Sequence, residues 1–247
     1  MSESLISQIR DRYDRVKDLV NEASVRSGRV PGSVRIVTVT KSQPIDVIRA
    51  ALEAGLRRLG ENYAEEAVEK IDLINRDDVE WHMIGHIQSR KASLVARNFA
   101  MVHSIDSVKI AEKLERFCAE DGKTLSSLVE VNVSGETSKY GLPAWNEQHW
   151  SDLFPVFEQI LAYPHLHIRG LMTMPPLMEN SNETRLYFQR MRRLQTYLTE
   201  QFPNQKLDEL SMGTSVDFVA AVEEGATLIR VGESILGPRS LEKQRAL

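Results

Sequence analysis

Arg35-Ile36-Val37-Thr38-Val39-Thr40-Lys41-Ser42-Gln43-Pro44-Ile45-Asp46-Val47-Ile48 is the stretch on which the fold turns. Arg35 to Thr40 is an apolar strand, and Pro44 opens a helix at its first turn. Lys41 therefore stands at the tip of a rigid element, where a strand feeds a turn. A primary amine held there can condense with an aldehyde once burial lowers its pKa enough to leave it neutral. Taken alone, a lysine in this place is more often the solvated end of an edge strand. Phosphate-friendly turns at equivalent strand ends in the second half of the chain raise the chemical reading above that one.

The same strand–turn–helix phrase recurs. Strands are predicted at Val34–Thr40, Arg58–Asn62, Trp81–Ile84, Ala100–Ser104, Leu128–Asn132, Ile168–Met172, Glu209–Met212 and Leu228–Val231. Helices are predicted at Ile45–Ala54, Tyr63–Leu73, Ile87–Arg97, Val108–Ala119, Glu147–Ala162, Glu183–Gln201, Val216–Glu223 and near Ser234–Leu236. A leading helix within residues 1–28 precedes them, with Leu5, Ile9, Val16, Leu19 and Val20 on one face and Gly28 as its stop. Such alternation predicts a parallel sheet with crossover helices. Eight units in a chain of 247 residues fit a closed (β/α)8 barrel of the TIM type, with an open doubly wound sheet as the competing fold. No Gly/Ser/Pro-rich linker divides the chain, which reads as one domain over 1–247 with the barrel at 34–237.

A formal net charge of -4 gives no electrostatic footprint for nucleic acid. Cys118 is the single cysteine, which excludes an internal disulfide framework and suits a reducing compartment. The N-terminal stretch is charged throughout and reads as neither signal peptide nor membrane anchor. The expectation is a cytoplasmic protein.

In a barrel, chemistry belongs at the C-terminal ends of the strands. Lys41, Asn62, Gly85-His86, Asn132, Met172-Thr173-Met174, Ser211-Met212-Gly213 and Gly232 would converge there. Leu210-Ser211-Met212-Gly213-Thr214-Ser215-Val216-Asp217 is a strand, a glycine turn and a hydroxyl-rich helix start, whose free N–H groups suit an anion. Arg230-Val231-Gly232-Glu233-Ser234 repeats the pattern one unit later. Helix capping accounts equally well for Ser215 and Asp217 taken singly. Arg230 fits either a salt bridge or a permanent donor to a ring nitrogen. Asn62 suits a ring hydroxyl or its own backbone. Asn132 to Gly141 is a long polar loop on the same face, with Lys139 as a second amine able to swing toward the site. His165 and His167 form an H-x-H pair at the opposite face; without a Cys cluster or HExxH, no metal is expected.

Val39-Thr40-Lys41, Gly60-Glu61-Asn62, Trp81-His82-Met83-Ile84-Gly85-His86-Ile87-Gln88, Val131-Asn132-Val133-Ser134-Gly135-Glu136, Gly170-Leu171-Met172-Thr173-Met174, Leu210-Ser211-Met212-Gly213 and Arg230-Val231-Gly232 form an ordered set. It resembles the pyridoxal phosphate homeostasis proteins of the YggS type. The resemblance implies an alanine-racemase-like barrel, the fold-type III architecture, that binds pyridoxal 5′-phosphate (PLP). It implies a Schiff base (internal aldimine) on Lys41, with Arg230 facing the pyridine nitrogen. Ser211, Thr214 and the amides of Gly232 and Glu233 would hold the phosphate, with Asn62 and Met172 around the ring. The family commonly has methionine at Thr214 and a small residue or threonine at Glu233, so Glu233 is expected to turn outward and offer its N–H. Ala64-Glu65-Glu66 also departs from the usual Val-Gln-Glu.

Racemisation needs a base on each face of the substrate, and the resembled racemases take the second from another domain. Arginine at the pyridine nitrogen also weakens the ring as an electron sink. The favoured function is therefore vitamin B6 homeostasis, in which a monomer carries PLP and passes it to PLP-dependent apoenzymes. A small PLP-dependent amino-acid racemase or lyase, with Tyr140 or His86 as second base, and a cofactor-free lysine aldolase are the alternatives.

Overall fold

The computed structural model describes residues 3–176 and 181–238; residues 1–2, 177–180 and 239–247 of the expected domain lie outside them. After the leading helix α1 (Glu3–Arg26) come β1 (Arg35–Val39), β2 (Arg58–Glu61), β3 (Glu80–Met83), β4 (Met101–Ile105) and β5 (Leu125–Asn132). A two-residue strand β6 (Leu142–Pro143) is followed by β7 (Leu166–Met172), β8 (Glu209–Ser211) and β9 (Leu228–Val231). Every pairing is parallel, and the β1–β9 and β4–β5 pairings close eight strands into a ring, with β6 a spur on β5. Closure removes the open-sheet alternative. The crossovers carry α2 (Ile45–Glu53), α3 (Ala64–Ile74), α4 (Ala92–Asn98), α5 (Val108–Glu120), α6 (Phe154–Leu161), α7 (Ser181–Gln201) and α8 (Phe218–Glu223), and a single turn α9 (Glu233–Leu236) follows β9.

The twofold strand period separates two cores. Ile36, Leu59, Val129, Leu210 and Ile229 face the helices in the larger core. Val37, Met101, Leu128, Met172 and Leu228 meet inside the barrel. The bottom of the barrel is ionic, where Arg35 pairs with Glu209 and Arg58 with Glu80. Met172, expected around a ligand ring, belongs to the interior core and is 1 % exposed.

Two helix starts and one helix face differ from the sequence expectation. The segment predicted as one helix over Glu147–Ala162 is a 3-10 stretch, Glu147–Leu153, followed by α6. Pro155 sits in the first turn of α6, where its missing N–H is tolerated, and it cannot continue the preceding helix. The helix expected from Ile87 starts only at Ala92, after a 3-10 turn over Ser89–Lys91. On α1, Ile9, Val16, Val20 and Ala23 are buried against α2, α8 and α9, whereas Leu19 is 40 % exposed and lies outside the packed face.

Gly170 lets β7 and β8 approach. Its φ is +151°, and a Cβ there would lie 2.0 Å from the Glu209 carbonyl oxygen. Gly170→Ala should cost about 3 kcal/mol or more, read as a lower denaturant midpoint with unchanged slope.

Candidate functional site

The turn that carries Lys41 is fixed from both sides. Thr40 donates its N–H to the Gly60 carbonyl at 2.9 Å and its hydroxyl to Glu61 Oε1 at 2.6 Å. The Lys70 ammonium donates to the Thr40 carbonyl at 2.7 Å and to Glu61 Oε1 at 2.6 Å, and pairs with Glu66 at 2.8 Å. Glu66 also accepts the Ser42 N–H at 2.8 Å, while Ser42 takes a left-handed φ of +58°. A non-glycine residue holds that conformation only when its surroundings impose it. Lys41 is thus half-buried between two residues whose backbone is pinned by one buried ionic cluster. Burial pushes the Glu61 carboxyl up, and Lys70 and the Thr40 hydroxyl oppose that shift.

Across the barrel mouth, Arg230 projects inward from β9 and is 3 % exposed. It donates to Ser211 Oγ, to the Thr173 carbonyl at 2.9 Å and to Met174 Sδ at 2.9 Å. Among the described residues no carboxylate forms an ion pair with it, so the salt-bridge reading is not the one the fold adopts. Burial lowers its pKa to about 10, which leaves it charged at neutral pH.

The turn after β8 supplies the third component. Gly213 has φ +93°, and a Cβ on it would lie 2.6 Å from Ala221 Cβ, so only glycine turns the chain this tightly over α8. Asp217 Oδ1 accepts the Thr214 N–H at 2.6 Å and the Thr214 hydroxyl at 3.0 Å. The Thr214 hydroxyl therefore spends its proton inside the turn. Ser215 Oγ instead accepts the Gly232 N–H at 3.3 Å, which keeps its own hydroxyl proton available.

These components enclose one cavity of about 330 Å³. Of the sequence-predicted residues, Lys41, Asn62, Thr214, Arg230, Gly232 and Glu233 line it. Glu233 is exposed at its rim. Ser211 and Met172 do not line it; Ser211 lies fully buried beneath, bonded to Arg230. Gln43, Ser215 and Met174 also line it, and no sequence signal beyond proximity to a strand end marks Gln43 or Met174. Lys70 and Glu66 were legible only as an i,i+4 pair, which any solvated helix face can show.

A second recess on the same face is lined by His86, Asp106, Lys139 and Tyr140, among others. His86 Nδ1 lies 2.9 Å from Asp106, and the Tyr140 ring stacks on His86 at 3.9 Å. The long polar loop after β5 is tied to itself: Asn132 Oδ1 accepts from the Ser134 and Gly135 amides at 3.1 and 3.0 Å. His165, at the opposite face, is bonded to Glu115 at 2.7 Å.

Residues 16–240 match the family described as alanine racemase, N-terminal domain. The pyridoxal phosphate homeostasis protein of Vibrio alginolyticus is 37 % identical over 95 % of this chain and 99 % of that one. The chain belongs to the pyridoxal phosphate homeostasis protein family. Among solved structures, the family member PipY of Synechococcus elongatus PCC7942, without PLP, superposes with a TM-score of 0.80. It is 36 % identical, over 93 % of this chain and all of PipY. The PLP-bound PipY structure gives 0.79 at 35 % identity, over the same shares. An alanine racemase of Clostridium difficile 630 shares the fold at a TM-score of 0.70 and 13 % identity, with 59 % of its length covered.

Two outcomes test the geometry of this family member. Lys70→Met leaves Glu61 buried without its cation and should cost about 3 kcal/mol in chemical denaturation, with Glu61→Gln in the same chain recovering part of that loss. Glu130, 6 % exposed inside β5, has a carboxyl pushed up to about 7 by burial and by Asp106, against the pull of Arg230. Its folded pKa lies above the unfolded value, so the stability it permits is complete at low pH and is lost as pH rises through about 7. Relative to wild type, Glu130→Gln should gain about 3 kcal/mol between about pH 4 and about pH 8, measured by urea unfolding at each pH.

Proposed function

We propose that this protein binds PLP in the mouth cavity, anchored through Lys41, and serves PLP homeostasis by holding the cofactor and passing it to PLP-dependent apoenzymes without efficient catalysis of its own. The observation that carries this reading is the meeting, in one cavity, of a half-buried amine, a buried guanidinium that no carboxylate among the described residues pairs with, and a glycine turn lined with amides and hydroxyls. These match the aldehyde, ring nitrogen and phosphate of PLP. The cavity volume also falls within the range of small-molecule sites, about 300–1,000 Å³.

In that reading Lys41 would hold the cofactor through its amine, and the pinned turn keeps that amine in place. Ser215 and the Glu233 amide would hold the phosphate, with Gly232 lining the same turn, and Asn62 would border the ring. Bound PLP supplies a conjugated ring able to accept electrons from an attached amine. Arg230 restrains that capacity, because a guanidinium at the ring nitrogen donates a hydrogen bond and does not give up its proton. Tyr140 and His86 are stacked on each other in the neighbouring recess, and neither lines the Lys41 cavity. Both points support a carrier over a racemase or lyase. Lys139 lines the recess beside the site, where a released cofactor would first meet a second amine. We read the protein as a cytoplasmic monomer of one domain; no described helix is long and apolar enough to cross a membrane.

The test is an absorbance titration with PLP for wild type and Lys41→Ala. A visible band should form in the wild type and be lost in the variant, with no change in optical activity of added L-amino acids above the protein-free rate. A band retained by Lys41→Ala would refute the anchor, and turnover of an L-amino acid would refute the carrier role.

A further inference from the structure

The histidines buried inside the barrel take no part in the site as described so far. His82 on β3 and His103 on β4 are 2 % and 0 % exposed. Their rings meet below the cavity, with His82 Nδ1 2.9 Å from His103 Nε2. His103 Nδ1 lies 2.8 Å from Ser211 Oγ, the atom that also accepts from Arg230. At the far end, His82 Nε2 lies 3.6 Å from a Glu80 carboxylate oxygen. That separation is too long for a hydrogen bond but close enough for charge to select a protonated nitrogen.

We propose that Ser211, His103 and His82 are positioning residues for Arg230, joined in a file of hydrogen bonds all donated in one direction, from the mouth toward Glu80 at the bottom of the barrel. Both ends dictate the direction. Arginine can only donate, so the Ser211 oxygen accepts from it, and the Ser211 hydroxyl then donates to His103 Nδ1. His103 must carry its proton on Nε2 and donate to His82 Nδ1. His82 in turn carries its proton on Nε2, facing the Glu80 carboxylate. The reverse order would leave the Ser211 proton without a partner in the file and would turn an unprotonated His82 nitrogen toward an anion. Both rings stay neutral: burial pushes His82 below the usual histidine range and His103 well below it.

The consequence lies at the mouth. With its hydroxyl locked toward His103, Ser211 keeps its lone pairs on Arg230 and cannot rotate away. The guanidinium is then held from below by Ser211 and from the side by Thr173 and Met174, which leaves its aim into the cavity fixed. That this aim meets the pyridine nitrogen of PLP rests on the function proposed above; the file itself does not.

Two measurements on the full chain separate these. In ¹⁵N-histidine-labelled protein without PLP, both buried imidazoles should show the neutral Nε2–H pattern of ring nitrogen shifts at neutral pH. An Nδ1–H pattern or a charged ring at either position overturns the file. For PLP, His103→Leu, which breaks the file, should raise the dissociation constant about tenfold, the loss expected for one hydrogen bond to a charged group. His103→Gln, which can still accept on one side and donate on the other, should stay within about twofold of wild type by the same reasoning. A folded His103→Leu protein that binds PLP as tightly as wild type overturns the positioning role. If the wild type binds no PLP, the functional reading fails instead, and the tautomers alone decide the file.

Discussion

Arg230 is a buried cation that no carboxylate among the described residues pairs with, and the centre of this molecule is arranged around that constraint. Placing a charge in a protein interior costs several kcal/mol unless its donors are satisfied. Here a hydroxyl, a carbonyl and a thioether accept from three of its five N–H groups, and the hydroxyl is itself held by a histidine. A carboxylate partner would have neutralised the guanidinium and consumed its donors. The arrangement found keeps both the charge and the aim toward the mouth.

The barrel makes this possible by sorting side chains with a period of two. Residues on the inward side form three zones: ion pairs at the bottom, a small apolar core with two histidines in the middle, and Arg230 near the mouth. Outside the strands, a second ionic cluster of Glu61, Lys70 and Glu66 fixes the Lys41 turn from α3. Amine and guanidinium are therefore each positioned by a separate buried polar network, one outside the barrel wall and one inside it. A site held in this way favours retention of a ligand over rearrangement around it.

Much of the architecture was legible in the sequence, because alternation of short apolar runs with amphipathic ones reports parallel strands and crossovers directly. Strand ends were legible too, and so the set Lys41, Asn62, Thr214, Arg230, Gly232 and Glu233 could be assigned to one face. What escaped is what depends on contacts between distant segments. Glu66 and Lys70 look like a solvated helix pair until the fold sets them against Thr40 and Ser42. His82 and His103 sit on different strands, and nothing local says that their rings meet. Ser211, which the resemblance implied beside the phosphate, lies on the inward side of β8 and bonds Arg230, a contact nothing local announces. Thr214, implied likewise, lines the cavity while its hydroxyl donates to Asp217 three residues on. Leu19 fell on the apolar stripe of α1, yet the helix turns that side away from α8 and α9.

The central claim is that Lys41 is the attachment point for PLP. It is tested most directly by reducing the PLP-loaded protein with borohydride and mapping the modified peptide by mass spectrometry. The account predicts a single pyridoxyl group on the peptide containing Lys41. A pyridoxyl group on Lys139 or another lysine, with Lys41 unmodified, would contradict it.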